Sequence, residues 1–505
     1  MQVPTKRMAS AAGLLAMIVR ALARGAGRRL LIVALTFVAV AGEACAQAPT
    51  IVPVAGPPSL RISGFDVGTL DYGLKEYFFS GVAHSFAQAH GGSSVDSAGT
   101  SPYTSRLVVL KPNDPRKFNG TVIVEWMNVS SGQDTPNEWS IAHRELVRSG
   151  YVYVGVTAQQ VSIEGRADLP GVPLKRANPE RYAALSHPGD AFSFDIFSQA
   201  GALLRGPQAR VLLGGLAPRR LLAAGESRSA TYLTTYVNWV DPVARVFDGF
   251  LIHSRWGDAA PLNGDLASEG PQETAGVIFR RDPRVPVLTV VTETEVLAKN
   301  NTAFVRARQP DSEHLRTWEI AGAAHADNYL FVTGYTDSGS LSTFDLARGF
   351  APTTTLQVGQ FDQPINTGQP HHYVIQGAIV NLTRWVRTGR APQHMQPLQI
   401  TTGVNPAYIL DGNGIVEGGV RTPWVDVPTM RLSGVGNSGN PRAFLVGVAS
   451  PFAASKLAEL YPQGKREYLA RFATALDRAI ASGVLLAADR QEIIDVASAS
   501  YPATL

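Results

Sequence analysis

Gly225-Glu226-Ser227-Arg228-Ser229 sets a serine between two small residues, with a buried-strand pattern over Arg220–Ala224 before it and a helical pattern after it. A strand-to-helix turn this tight crowds the backbone, so the positions two before and two after the serine must be small, as Gly225 and Ser229 are. Such a turn lifts Ser227 Oγ above a sheet. It also aims the Arg228 N–H and the helix N-terminus at one point, where an oxyanion would be held. The chemistry this favours is acyl transfer through a serine nucleophile. The five-residue pattern alone is weak, since about one match arises by chance in a chain of this length. The strand before it and the helix after it carry the expectation against the plainer alternative, a serine that only caps a helix.

A serine nucleophile needs a base, and the base needs an orienter, in the chain order serine, acid, histidine for a turn of this kind. Val285–Val291 reads as a strand, and Thr292-Glu293-Thr294-Glu295 leaves its C-terminal end, where reactive groups of open α/β sheets collect. Glu295 is favoured as the acid by its placement a few residues past the strand, and Glu293 is its competitor. Thr317–Ile320 then runs into the small-residue loop Ala321-Gly322-Ala323-Ala324, which presents His325. Of the other downstream histidines, His314 precedes its strand, at the wrong end, and His371 and His372 follow Pro370 and are read as capping or flanking a helix. A second oxyanion donor is expected from the loop after an earlier strand. Thr121–Trp126 is that strand, and the backbone N–H of Asn128 or Val129 is the expected donor.

These residues need a frame. Short apolar, β-branched runs at Leu107–Leu110, Thr121–Trp126, Val152–Val156, Arg220–Ala224, Phe247–Ile252, Val287–Val291 and Thr317–Ile320 predict strands. Helical spacing falls between them at Trp139–Val147, Phe192–Leu204, Thr231–Val240 and Val374–Val386. Alternation of this kind predicts an α/β fold: a mostly parallel central sheet with helices on both faces, its core spanning about residues 105–388. Residues 158–189 and 390–450 read as long loop excursions. Tyr468, Leu469, Phe472, Leu476 and Ile480 share one helical face in the tail, and Asp489 with Glu492 could open a last helix as a capping pair.

Residues 1–46 stand apart. Arg24, Arg28 and Arg29 precede an apolar run from Leu30 to Ala41, and Ala44-Cys45-Ala46 fits a small-x-small cleavage site. That order predicts a secretory signal peptide and an exported protein, periplasmic or extracellular, with residues 47–505 as a single domain. The apolar run is too short to span a bilayer, so no stable membrane insertion is expected after cleavage. The formal charge of the whole chain is +4. Six basic residues and one acid lie within 1–46, which leaves the remainder near −1. Nothing in that balance points to nucleic acid. Cys45 is the only cysteine, so a thiol nucleophile or thiolate metal site in the remainder is excluded.

Two patterns mislead. Gly434–Gly439 matches G-x-G-x-x-G, but it follows no convincing strand and runs into Asn440-Pro441 rather than a helix. Asp411, Asn413 and Glu417 are spaced a little like a calcium loop without its full oxygen set, which favours a turn. No cofactor or metal is therefore expected. Glu293 and Glu295 leave one strand end together, so they do not flank a bond as paired glycosidase carboxylates do.

The chain resembles the bacterial, often exported proteins known only as "alpha/beta hydrolase domain-containing protein". The likeness rests on Val124–Ser130, His187–Asp190, Asp195–Ala200, Gly225–Ala230, Thr292–Glu295, Gly418–Pro428 and the helical tail, and so spans nearly all of residues 47–505. It implies an α/β-hydrolase core with residues 390–505 as an integral C-terminal extension, and a Ser/acid/His triad on Ser227, Glu295 and His325. Similar proteins often have Gln where Arg228 stands and Asp where Glu295 stands. The expectation is a hydrolase of small-molecule carboxylic esters. Amidase, peptidase or acyltransferase chemistry on the same triad, or a binding protein that keeps the fold without catalysis, are the alternatives.

Overall fold

Each apolar run becomes a strand because neighbouring runs bury both faces of one sheet. In a computed structural model, residues 48–502 are described apart from 90, 91, 93, 265–275, 281, 282 and 299–301. The expected signal peptide lies outside the described residues. Nine strands form the sheet: β1 (Thr50–Val54), β2 (Tyr72–Gln88), β3 (Val95–Pro112), β4 (Thr121–Trp126), β5 (Val152–Val156), β6 (Arg220–Glu226), β7 (Gly249–His253), β8 (Val287–Thr292) and β9 (Leu315–Ile320). Their order is β1-β2-β3-β5-β4-β6-β7-β8-β9. From β5 through β9 all neighbours run parallel, and β1, β2 and β3 form an antiparallel wing.

Chain direction across the sheet reverses between β4 and β6, because β5 lies on one side of β4 and β6 on the other. In open α/β sheets the crevice outside the carboxyl ends at such a switch point is where ligands bind. The loop after β4 and the turn after β6 both open there.

Strand side chains alternate between two cores. Val122, Val124 and Trp126 face the core shared with helices α1 (Ser193–Arg205) and α2 (Arg228–Thr235), whose Phe194, Phe197, Tyr232 and Leu233 cover that side. Ile123, Leu222 and Leu251 face the other core, against Trp139, Ile141 and Leu146 of the helix over Asn137–Arg148 and against the helix over Gln369–Thr388. The helices over Lys465–Ala481 and Arg490–Ser500 pack into this second core through Tyr468, Phe472, Leu476, Ile493 and Val496. Burying a side chain such as Phe472 contributes about 2–3 kcal/mol. The C-terminal stretch is thus built into the same core as the sheet.

Two expectations are corrected. The sheet begins well upstream of residue 105, with β1, β2 and the first half of β3. That hairpin hid in the sequence because Glu76 in β2 and Arg106 in β3 are buried as a charge network with Arg181 and Asp134, which breaks the apolar alternation. Asp489 precedes the last helix but makes no side-chain cap. It pairs with Arg148 instead, and Glu492 pairs with Arg144 at 2.7 Å and accepts from the Tyr373 hydroxyl at 2.9 Å.

Candidate active site

Ser227 is the residue between β6 and α2, with φ 59° and ψ −120°. Positive φ with that ψ is close to glycine-only territory, and a serine held there stores strain of order 1–3 kcal/mol. Its N–H donates to the His253 carbonyl at 2.9 Å, and its own carbonyl accepts from the Thr231 N–H at 3.1 Å. The turn is therefore bolted to β7 on one side and to its helix on the other. Gly225 must be small, because a Cβ there would lie 2.9 Å from Ser229 Cβ and 3.0 Å from Leu233 Cδ1. Gly225→Ala is expected to lower stability by about 1–3 kcal/mol through overpacking. A urea melt with an unchanged midpoint would contradict that.

His325 reaches this serine from the loop after β9. Its Nε2 lies 2.8 Å from Ser227 Oγ, and its Nδ1 lies 2.6 Å from Glu295 Oε1. The Trp256 indole stacks on the imidazole, with ring centroids 5.0 Å apart and planes 26° apart. Burial opposes protonation of His325. The hydrogen bond to Glu295 and the charges of Glu226, Glu295 and Asp327 outweigh it, so its pKa sits above the usual histidine value.

The two competing glutamates part company. Thr292 caps the short helix Glu293–Val296 in a capping box with Glu295. Glu295 Oε2 accepts from the Thr292 N–H at 2.6 Å and hydroxyl at 2.9 Å, which leaves Oε1 for His325. Glu293 points away and accepts from the Gly322 N–H at 2.6 Å, the Ser433 hydroxyl at 2.8 Å and the Gly434 N–H at 2.8 Å. Burial pushes its pKa up to about 7 in spite of these donors. The T-x-x-E spacing was a signal that could have separated Glu295 from Glu293 in the sequence.

Of the expected oxyanion donors, Asn128 is corrected. Its N–H donates to the Thr135 carbonyl at 3.0 Å, because residues 128 and 135 form a small antiparallel bridge. Its side chain ties the loop to the turn instead, donating to the Glu226 carbonyl at 3.0 Å and to Glu226 Oε2 at 3.1 Å. Among the described residues the Val129 N–H has no hydrogen-bond partner, and the Arg228 N–H opens the first turn of α2. These two backbone donors remain.

Glu226 was not expected. It is buried beside the serine, its Oε1 3.3 Å from His325 Nε2. Asn137 Nδ2 donates to its Oε2 at 2.7 Å alongside Asn128. Burial raises its pKa, against the pull of His325, His253 and Asn137. In the sequence it looked like the variable position of the serine motif.

His371 and His372 open the helix over Gln369–Thr388 as expected, but neither caps nor flanks it: both are fully buried in its first turn. His372 Nδ1 meets the Ile141 carbonyl at 2.6 Å. His371 bridges Asp327 Oδ2 at 2.7 Å and His253 Nε2 at 2.6 Å, and His253 Nδ1 lies 3.1 Å from Glu138 Oε1. Burial keeps His253 neutral, its pKa down at about 3, and raises Glu138 to about 8. One proton pattern then satisfies every pair: Glu138 donates to His253, His253 to His371, and His371 to Asp327. This line of groups ties the loop of His325, through Asp327, to His253 of β7. His314 stays before β9, near the Pro283 carbonyl, away from the serine.

Ser227, His325 and Glu226 line a cavity of about 1540 Å³. Asn128, Ser130, Thr135 and Asn137 give it a polar wall. Trp256, Leu297, Phe331, Val358, Phe444 and Leu445 give it an apolar one. Both excursions reach it, through Pro170–Val172 and through Val435–Ser438 of the glycine-rich run. The second is corrected: it is not loop alone, because a strand over Met430–Ser433 directly precedes Gly434 and pairs with Val448–Pro451 in a two-stranded antiparallel sheet. Among the described residues no group of three or more His, Cys, Asp or Glu could hold a metal, and no helix is long and apolar enough to cross a membrane.

Solved structures to which the chain is similar include a candidate dienelactone hydrolase of Klebsiella pneumoniae subsp. pneumoniae, 15% identical, covering 52% of this chain and 93% of its own, with a TM-score of 0.28. A thermostable esterase of Pseudomonas putida is 12% identical over 55% of this chain and 80% of its own, with a TM-score of 0.28. One of two esterases of the fungus Rhizomucor miehei is 14% identical over 51% and 78%, with a TM-score of 0.26. No curated protein matches the sequence. The sequence model of one family, described as "Alpha/beta hydrolase domain", matches residues 41–495. With that match over nearly the whole chain, and with a parallel sheet whose switch point carries the serine turn, the protein belongs to the alpha/beta hydrolase domain family.

Proposed function

We propose that the protein is a serine hydrolase that cleaves carboxylic esters through an acyl-enzyme on Ser227. The observation that carries this is the line Ser227 Oγ–His325–Glu295, with separations of 2.8 and 2.6 Å, at the wall of an open cavity. Ser227 Oγ attacks the carbonyl carbon while His325 Nε2 takes its proton. Glu295 holds the Nδ1–H tautomer and stabilises the imidazolium. The Val129 and Arg228 N–H groups hold the oxyanion, each such donor lowering the barrier by about 3 kcal/mol. The tetrahedral adduct collapses, the C–O bond to the alcohol breaks, and Nε2–H protonates the departing alkoxide. Water then repeats the cycle on the acyl-enzyme and frees the acid and Ser227. A fluorophosphonate is expected to label the wild type and not Ser227→Ala. A folded wild type that stays unlabelled overturns the reading, and labelling that survives the substitution moves the nucleophile elsewhere.

The basic-apolar-small order of residues 1–46 supports export. N-terminal sequencing of the protein from an exporting host is expected to begin at Gln47. A chain that keeps its leader inside the cell counts against export.

A further inference from the structure

We propose that Glu226 is a positioning residue for this reaction, a second carboxylate that stabilises protonated His325 from the side facing the substrate. The proposal rests on the serine-hydrolase reading. Nε2 of His325 faces two oxygens, Ser227 Oγ at 2.8 Å and Glu226 Oε1 at 3.3 Å. In the resting enzyme Nε2 carries a lone pair, and a carboxylate oxygen facing it is repelled. Once Nε2 takes the serine proton, the same oxygen becomes an acceptor and a counter-charge. The interaction thus improves as the reaction proceeds, which is the condition for lowering a barrier rather than tightening a ground state.

Glu226 is fixed for this role. Asn128 and Asn137 both donate to its Oε2, which opposes the burial that raises its pKa and leaves Oε1 toward the histidine. Neither asparagine could serve this purpose unless the loop after β4 and the helix that starts at Asn137 closed over the turn. Among the described residues, the charged or titratable groups that act most strongly on His325 and Glu226 include Glu295 from the helix over Glu293–Val296, Asp327 from the histidine's own loop, His253 from β7 and Glu138 from the helix over Asn137–Arg148. His253 stays neutral, Glu138 holds a proton, and Asp327 is engaged by His371. Glu295 and Glu226 therefore supply the opposing charge at the two nitrogens, one on each edge of the ring.

The test is Glu226→Gln, with the pH profile of kcat/KM on a neutral ester. A histidine base works when unprotonated, so a carboxylate that favours its protonated form moves the acid limb of the profile to higher pH. Removing that charge is expected to move the limb down by about one pH unit and to lower the alkaline plateau about tenfold. Glu226→Asp keeps the charge one methylene further back and is expected to fall between the two. A merely structural role would lower activity by one factor at every pH, and superimposable limbs overturn the proposal. Should Glu226→Gln fail to fold, the same limb is read in Glu226→Asp, where no displacement is again a refutation. NMR titration of the His325 ring protons gives a readout without turnover. A shift between wild type and variant there, in an enzyme that cleaves no ester, would defeat the hydrolase reading and leave the Glu226–His325 coupling standing.

Discussion

Ser227→Ala is expected to reduce kcat on a carboxylic ester by about 10⁴- to 10⁶-fold while leaving KM within a few-fold of wild type. The loss is large because the serine, histidine and acid act as a unit, and what remains is only what oxyanion donors and binding give to attack by water. The geometry adds a second arm. The backbone at position 227 has φ 59° and ψ −120°, so strain resides in the residue's conformation and not in its hydroxyl. Alanine inherits that strain and glycine does not. Ser227→Gly is therefore expected to be as inactive as Ser227→Ala but more stable than both alanine variant and wild type, by about 1 kcal/mol. A melt in which glycine and alanine behave alike would mean that the neighbouring hydrogen bonds to His253 and Thr231 absorb the strain. An alanine variant with wild-type kcat would remove Ser227 from the chemistry.

The parts of the site that could be read in the sequence are those whose identity is fixed by local crowding or by strand ends. Gly225 and Ser229 announce the turn because nothing larger fits against one another there. Glu295 follows β8, whose apolar run is plain because a parallel strand buried on both faces has no polar alternation to confuse it. His325 follows the edge strand β9, where Arg316 and Glu319 interrupt the apolar run and only the small-residue loop after it marks the histidine. What could not be read depends on contacts between distant segments. The Asn128 N–H is consumed by Thr135, a bridge that follows from how the loop after β4 folds back. Glu226 gains its meaning only when His325 comes within 3.3 Å, and His371 only when its helix slides under β7 to meet His253. The hairpin of β2 and β3 was missed for a related reason. Glu76 and Arg106 satisfy each other across the pair, so charge replaces apolar alternation in the buried half, and residues 95–105 are too rich in Ser, Thr and Gly to read as strand.

That dependence on distant contacts makes the two neighbouring glutamates the sharpest comparison in the site. Glu295→Gln is expected to lower kcat about 10³- to 10⁴-fold, because an amide facing Nδ1 either offers N–H where an acceptor is required or turns the imidazole to the wrong tautomer. The same substitution also weakens the capping box, since Glu295 Oε2 accepts from both the N–H and the hydroxyl of Thr292. Loss of that cap accounts for about 1 kcal/mol of stability, far too little to produce the kinetic loss at a temperature where the variant is folded. Glu293→Gln should behave in the opposite way. Its carboxylate collects Gly322, Ser433 and Gly434, so an amide places N–H against an N–H whichever way it is turned, and a buried donor is left unmade at a cost of about 1–3 kcal/mol. The loop that carries His325 is held by Gly322, so some loss of rate follows, but within about tenfold. The discriminating measurement is kcat and the melting temperature for both variants in one buffer. Glu295→Gln should fall far in rate and little in stability, and Glu293→Gln the reverse. If the larger kinetic loss belonged to Glu293→Gln, the hydrogen bond of 2.6 Å between His325 and Glu295 would be a packing contact, and the orienting acid would have to be sought at position 293 after a rearrangement of the helix that carries both.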